Sequence, residues 1–131
     1  MKKSGIINTD ISKVLSELRH TDTICIGDIG LPYPDNVRVI DLSLKIGSPS
    51  FIEVLEEVLK DMKVEHFFLA SEIRDKNIEI NNKVLSLLSG ISHDYISHID
   101  FKNQTAKCKV IIRTGEATPY ANVILQSACI F

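Results

Sequence analysis

The residues of this sequence whose types best suit chemistry are His20, Asp28 and His98. Histidine gives and takes protons near neutral pH, since its unperturbed pKa is about 6.5. His20 and Asp28 flank the apolar run 24–26 on opposite sides. A strand rises about 3.3 Å per residue, so we expect these two side chains near opposite ends of one strand. If both serve one site, a second subunit supplies one of them.

Each of these residues also has a purely structural interpretation. His20 follows a helical pattern, where a cation complements the negative end of the helix dipole. Asp28 suits a turn, and His98 stands at the end of a short predicted strand, close to an aspartate. The residue types alone leave the structural and the functional interpretations open.

The segment Tyr120-Ala121-Asn122 adds a phenol and a carboxamide just before an apolar, strand-like run. Both groups donate and accept hydrogen bonds, which suits the recognition of a hydroxyl-rich ligand. A polar entrance to a strand has the same composition, so that alternative stays open as well. The common nucleotide-binding, acyl-transfer and metalloprotease motifs are absent from the sequence.

Composition limits the classes of partner. The chain has 131 residues, of which 44% are apolar and 24% charged, with a formal net charge of −2. This balance suits one folded domain and gives no electrostatic footprint for nucleic acid or an anionic membrane. The longest uncharged stretch, 117–131, is shorter than the roughly 20 residues of a membrane-spanning helix. The N-terminus lacks the apolar core of a secretory signal, so we expect a cytoplasmic protein without nucleic-acid or membrane partners.

The cysteines Cys25, Cys108 and Cys129 are scattered and show no metal-ligand spacing. We expect them to pack as small apolar residues, with Cys25 and Cys129 inside strands. Neither a disulfide framework nor a zinc site is indicated, and we expect no metal and no cofactor.

Alternating helical and strand-like patterns predict an α/β fold. Residues 1–131 should form one domain with a mostly parallel sheet and helices on both faces. Apolar spacing and capping residues predict helices over 9–19, 51–62 and 77–89, and the polar connection 99–107 could also form a helix. Short apolar runs predict strands over 23–27, 37–41, 66–70, 95–98 and 110–113, with another after 120.

The C-terminal run 123–131 is apolar to its last residue and would be costly to leave in water. A strand buried within the monomer and an interface between subunits explain it about equally well. A homo-oligomer is therefore one of two expectations from this run.

Several segments together resemble the D-ribose pyranase family, which is related to the fucose mutarotases. The most specific is Arg-Thr-Gly-Glu-Ala-Thr-Pro-Tyr-Ala-Asn at 113–122. The resemblance covers essentially the whole chain. The other matching segments are His20, Asp28-Ile-Gly-Leu-Pro32, Ile40-Asp-Leu-Ser43, Ser97-His98, the opening Lys3-Ser-Gly-Ile-Ile-Asn8 and the final Phe131.

The resemblance implies an isomerase that interconverts the β-pyranose and β-furanose forms of D-ribose by acid–base ring opening and reclosure, feeding ribose to phosphorylation. It implies a cytoplasmic homo-oligomer, commonly a homodecamer of two pentameric rings with sites at subunit boundaries, and neither metal nor organic cofactor. Two alternatives are an L-fucose-type mutarotase and a non-catalytic sugar-binding or regulatory subunit. The implied proton donor is His20, and the implied sugar-binding residues are Asp28, His98, Tyr120, Ala121 and Asn122.

Overall fold

The computed structural model describes residues 1–131 and contains a six-stranded sheet. The helices are α1 (Thr9–Glu17), α2 (Phe51–Asp61), α3 (Ile73–Lys76), α4 (Ile78–Leu87) and α5 (His98–Thr105). The strands are β1 (Thr23–Gly27), β2 (Arg38–Asp41), β3 (Val64–Ala70), β4 (Ser92–Ile96), β5 (Val110–Arg113) and β6 (Val123–Ser127). None of the helices combines the length and the hydropathy that crossing a membrane requires.

The sheet is mostly parallel, as the alternation of helices and strands predicts. Its strand order is β2-β5-β1-β6-β3-β4. Every neighbouring pair is parallel except the two that involve β6, which runs antiparallel to both β1 and β3. The α/β prediction is therefore confirmed, with one antiparallel strand inside the sheet.

Capping residues set where the helices begin. The side chains of Asn8 and Ser50 accept hydrogen bonds from first-turn N–H groups of α1 and α2, at 3.0 and 3.2 Å. Such donors have no partner within the helix, so each cap stabilises the start of its helix. α1 ends at Glu17, and His20 consequently lies past the helix, in the turn that leads into β1.

Two elements differ from the sequence prediction. β4 is Ser92–Ile96 rather than 95–98, because it pairs in parallel with β3 at an exposed edge where polar residues are tolerated. His98 therefore opens α5, whose cap is Ser97, with Oγ accepting the Asp100 N–H at 3.1 Å. The sequence also misses α3, since four residues are too few to show a helical period.

An apolar layer packs against each face of the sheet. Alternate residues of a strand point to opposite faces, so Ile24 and Ile26 join the larger layer and Cys25 the smaller one. Side chains of α1, α2 and α4 complete the larger layer, and Phe101 of α5 lies in the smaller layer. The prediction of helices on both faces is confirmed.

β6 accounts for only the first part of the apolar C-terminal run. Val123, Ile124 and Leu125 are fully buried in the sheet. Ile130 is 84% exposed and Phe131 is 102% exposed within the single chain. The expectation of a buried strand is thus confirmed for the first part of the run, and the expectation of an interface stays a prediction for its exposed end.

Two of the three cysteines are packing residues. Cys25 and Cys108 are buried, and burial raises the pKa of both thiols, that of Cys108 to about 11. Neither is therefore a reactive thiolate near neutral pH. The strand position expected for Cys129 is wrong, since Cys129 lies beyond β6 and is only partly buried.

Leu125 tests how much β6 contributes to the core. Its side chain is fully buried in the larger layer, so Leu125→Ala should lower the free energy of unfolding by about 2–5 kcal/mol. Urea unfolding followed by circular dichroism measures this loss. Leu87→Ala truncates a side chain on α4 that is 37% exposed and should cost less than about 1 kcal/mol. Equal losses in the two variants would contradict a core centred on β6.

Candidate active site

Asp28 and Asn122 lie together at the edge of the sheet where the parallel strands end. Asp28 directly follows β1, and Asn122 directly precedes the antiparallel β6. The Asn122 carboxamide makes two hydrogen bonds: Oδ1 accepts the Asp28 N–H at 2.8 Å, and Nδ2 donates to Asp28 Oδ2 at 2.9 Å. Gly27 permits this approach, because a Cβ there would lie 2.9 Å from Asn122 Oδ1. The fully buried amide therefore holds a partly buried carboxylate in place.

The loop that carries Asp28 is held by further contacts. Asp28 Oδ1 accepts the Gly30 N–H at 2.8 Å. The Arg113 guanidinium donates to the Ile29 carbonyl at 3.0 Å and to Asp41 Oδ2 at 3.0 Å. Each carboxylate oxygen of Asp28 thus has one protein donor, and its second lone pair remains for a ligand.

His98 reaches the same edge from the first turn of α5. Its N–H donates to the Glu72 carboxylate at 2.9 Å, and its ring lies 5.0 Å from the Tyr120 ring, centroid to centroid. Burial and then the Lys102 charge lower the pKa of His98, against a smaller opposing effect of Glu72 and Asp28. Nδ1 of His98 is buried and has no hydrogen-bond partner. Leaving such an atom unpaired is costly, so a ligand that bonds to it is favoured.

Tyr120 and Ala121 form a tight turn that leads into β6. Tyr120 has a φ of 57°, in the left-handed region that residues other than glycine rarely adopt. Across this turn the Asn122 N–H donates to the Tyr120 carbonyl at 2.9 Å, and Ala121 is fully buried. Asn77 Nδ2 holds the preceding Pro119 carbonyl at 2.8 Å. Backbone strain of this kind persists where surrounding contacts enforce it, and it clusters at functional sites.

His20 lies at the opposite edge of the sheet. The next residue, Thr21, has a φ of 70° and donates its N–H to the Ser127 carbonyl at the end of β6, at 3.0 Å. His20 Nε2 lies 3.0 Å from Glu65 Oε2. The imidazole lines a cleft of about 390 Å³ together with the C-terminal residues 128–131. The side chain of His20 is 54% exposed, so it is accessible to a ligand or a second subunit.

The structure therefore divides the six candidate residues between two edges. β1 has five residues, which at about 3.3 Å each separate the edges by about 16 Å. No side chain spans that distance, so one chain does not bring His20 to the other five residues. Those five form what we term the carboxyl-edge cluster: Asp28, His98, Tyr120, Ala121 and Asn122.

The sequence analysis does not predict the supporting roles of four residues: Glu65, Glu72, Arg113 and Gln126. Each is a polar side chain whose partner is remote in the chain, so neither spacing nor periodicity indicates its role. Only Arg113 carries a signal, because it opens the segment 113–122 on which the family resemblance chiefly rests.

The donor set of the carboxyl-edge cluster suits a polyhydroxylated ligand. Carboxylate, imidazole, phenol and carboxamide together offer acceptors and donors to neighbouring hydroxyl groups. The imidazole at the opposite edge suits proton transfer. The structure has no group of three or more His, Cys, Asp or Glu side chains placed to hold a metal ion.

Comparison with known sequences gives full-length matches. Residues 1–130 match the model of the RbsD / FucU transport protein family. The chain is 52% identical over 131 residues to a D-ribose pyranase of Bacillus cereus (strain AH187), covering 100% of both proteins. It has the same identity and coverage with a D-ribose pyranase of Bacillus mycoides (strain KBAB4).

Comparison with solved structures gives the same fold over the whole chain. The structure of Bacillus subtilis RbsD complexed with D-ribose superposes with a TM-score of 0.97 at 46% identity, covering 100% of each chain. The fucose mutarotase of Streptococcus pneumoniae, solved with L-fucose, gives a TM-score of 0.81 at 24% identity, covering 95% of each chain. At that lower identity the likeness shows the fold alone.

The lowered pKa of His98 should make folding stability depend on pH. The unfolded chain binds a proton at His98 at a higher pH than the folded chain does, so stability falls as the pH drops below about 6.5. Thermal unfolding of the wild type and of His98→Gln at pH 7.5 and 5.5 measures this. We expect the variant to lose less stability on acidification, because it lacks the titrating group. An equal loss in both proteins would contradict a folded His98 that resists protonation.

Proposed function

The chain belongs to the RbsD / FucU transport protein family, and on that premise we propose that it interconverts the pyranose and furanose forms of D-ribose. The 52% identity to D-ribose pyranases over the full length of both proteins carries this proposal. The free, buried Nδ1 of His98 within the carboxyl-edge cluster supports the binding of a sugar there. A sugar hydroxyl can form the hydrogen bond that this nitrogen lacks.

The reaction moves protons and leaves the carbon skeleton unchanged. The bond between C1 and the ring oxygen breaks as that oxygen takes a proton and the C1 hydroxyl gives one up, which produces the open aldehyde. The furanose forms when the C4 hydroxyl attacks C1, loses its proton, and the carbonyl oxygen takes one. General acid–base groups contribute about 10²–10⁴-fold to such steps, and no nucleophile is needed.

The candidate residues divide naturally between these tasks. His20 is the proton donor to the ring oxygen, since an exposed imidazole can exchange its proton with solvent between turnovers. Asp28, His98, Tyr120 and Asn122 bind the sugar hydroxyls. Ala121 contributes backbone between the last two, because its own side chain is fully buried and carries no polar group.

A complete site then needs two subunits. The separation of the two edges by β1 supports a site built from His20 of one chain and the carboxyl-edge cluster of another. The exposed Ile130 and Phe131 lie in the His20 cleft and are suited to an interface there. The assembly proposed is a homodecamer of two pentameric rings in the cytoplasm, where ribose is to be phosphorylated.

Two other functions make different predictions. An L-fucose-type mutarotase would accelerate exchange with fucose and not with ribose, and a regulatory subunit would bind ribose without accelerating exchange. The orphaned His98 Nδ1 fits binding in all three cases. Whether exchange requires the proton donor His20 distinguishes the two catalytic functions from the regulatory one.

His20→Ala should suppress the exchange of ribopyranose and ribofuranose about 10²-fold or more, because it removes the acid–base group. Ribose affinity should change little, since the carboxyl-edge cluster is intact. Saturation-transfer NMR measures exchange, and calorimetry measures affinity. His20→Gln keeps a hydrogen-bonding side chain that does not transfer protons, so near wild-type exchange in this variant would refute the role of His20.

Mixing two inactive subunits tests whether the site is shared. His20→Ala and Asp28→Ala chains, refolded together in equal amounts, should recover activity at about one quarter of the sites, where both halves are intact. Exchange spectroscopy on the purified mixture measures the recovery. A mixture of Asp28→Ala and His98→Ala is the control, because both changes affect the same half of the site. No recovery in the first mixture, or equal recovery in both, would contradict a shared site.

A further inference from the structure

We propose that Glu65 is a positioning residue for His20: its carboxylate accepts a hydrogen bond from the Nε2–H of the imidazole and thereby presents Nδ1 to the sugar. This inference rests on the proposed function, in which His20 is the proton donor. It concerns a residue of β3, outside the carboxyl-edge cluster. It starts from the 3.0 Å contact between His20 Nε2 and Glu65 Oε2.

The protonation state of the pair follows from the chemistry of the carboxylate. Hydrogen bonds from Gln126 and then from His20 lower the pKa of Glu65, so its side chain is ionised near neutral pH. An ionised carboxylate only accepts hydrogen bonds, and the contact therefore requires a proton on His20 Nε2. Nδ1 of His20 makes no hydrogen bond within the chain. It is therefore the nitrogen that exchanges a proton with the substrate.

Gln126 fixes the other oxygen of the same carboxylate. Its Nε2 donates to Glu65 Oε1 at 2.7 Å. Gln126 lies in β6, between β1 and β3, and pairs with Thr23 of β1 and His66 of β3. The amide thus anchors Glu65 from the strand that separates it from His20, with one donor on each carboxylate oxygen.

The backbone of β3 is irregular at Glu65. Val64 pairs with Ser127 and His66 pairs with Gln126, so Glu65 is the extra residue of a bulge and pairs with no residue of β6. A bulge redirects the side chain of its extra residue relative to the regular alternation, and bulges are frequent beside active sites. At this position the redirected side chain reaches across the end of β6 to the imidazole.

Glu65 would act on catalysis through the orientation and charge of His20. A carboxylate on one imidazole nitrogen fixes the tautomer and the orientation of the ring whose Nδ1 proton is transferred, as in other histidine–carboxylate pairs. When Nδ1 has given up its proton, Nε2 keeps its own, so the hydrogen bond to Glu65 lasts through the cycle. A pair that served stability alone would have no such effect, and exposed ion pairs contribute little to stability.

The test uses the full-length assembled protein and compares Glu65→Gln with the wild type. Removing the charge should lower kcat about 10–100-fold, the scale seen for partners that orient a histidine. The ribose concentration at half-saturation should change less than about twofold, because Glu65 does not touch the sugar. Gln126→Ala should lower kcat in the same manner but less, since it removes only the support of Glu65.

A double-mutant cycle separates positioning from a structural role. If Glu65 acts through His20, adding Glu65→Gln to His20→Ala should lower exchange no further. Asp94→Asn is the matched control, because Asp94 Oδ2 lies 2.9 Å from His66 Nε2 in a similar histidine–carboxylate pair that the reaction does not use. Its kcat should stay within about twofold of the wild type. Sedimentation velocity reports the assembly state of every variant.

The outcomes distinguish this inference from the function on which it rests. Normal exchange in His20→Ala would remove the proton-donor assignment itself. Loss in His20→Ala with normal kcat in Glu65→Gln would overturn the role of Glu65 alone. Additive losses in the double mutant, an equal loss in Asp94→Asn, or dissociation of Glu65→Gln into smaller species would make Glu65 a structural residue and also overturn the inference.

Discussion

The antiparallel direction of β6 determines what lies at each edge of the sheet. Because β6 runs against both of its neighbours, the residue before it, Asn122, meets Asp28 after β1. Near its other end, Gln126 meets Glu65, which in turn contacts His20 before β1. A parallel strand in this place would reverse these neighbours. Burial then makes the arrangement rigid, since an amide as buried as that of Asn122 needs hydrogen-bond partners within the protein.

His20 and the carboxyl-edge cluster each lie beside a strained turn, one just before β1 and the other just before β6. Thr21 and Tyr120 are the non-glycine residues with positive φ, and such conformations cost about 1–3 kcal/mol each. The contacts that enforce them lie at the two ends of β6: Thr21 donates to the Ser127 carbonyl, and the N–H of Asn122, the residue before β6, closes the turn at Tyr120. Strain at both edges therefore depends on the same strand, which explains how a small domain holds two distant groups in fixed geometry.

Much of this arrangement can be predicted from the sequence. The features that the sequence does not predict are missed for physical reasons. The helix caps, the buried strands and the opposite positions of His20 and Asp28 follow from local patterns and from the rise of a strand. The edge strand β4 lacks an apolar pattern because one of its sides is exposed to solvent. The bulge at Glu65 leaves no local signal, since it arises from the register of β3 against β6, which are far apart in the chain.

Under the proposed function, the exposed C-terminal residues also affect the surroundings of the proton donor. Ile130 and Phe131 line the same cleft as His20, which is itself 54% exposed in the single chain. A neighbouring subunit that covers this apolar surface would also remove part of the water around the pair of His20 and Glu65. Their electrostatic interaction strengthens as the surrounding dielectric constant falls. Assembly would then complete the sugar site and, in the same step, strengthen the contact that orients its proton donor, so activity should follow the assembled fraction rather than the folded fraction of the protein.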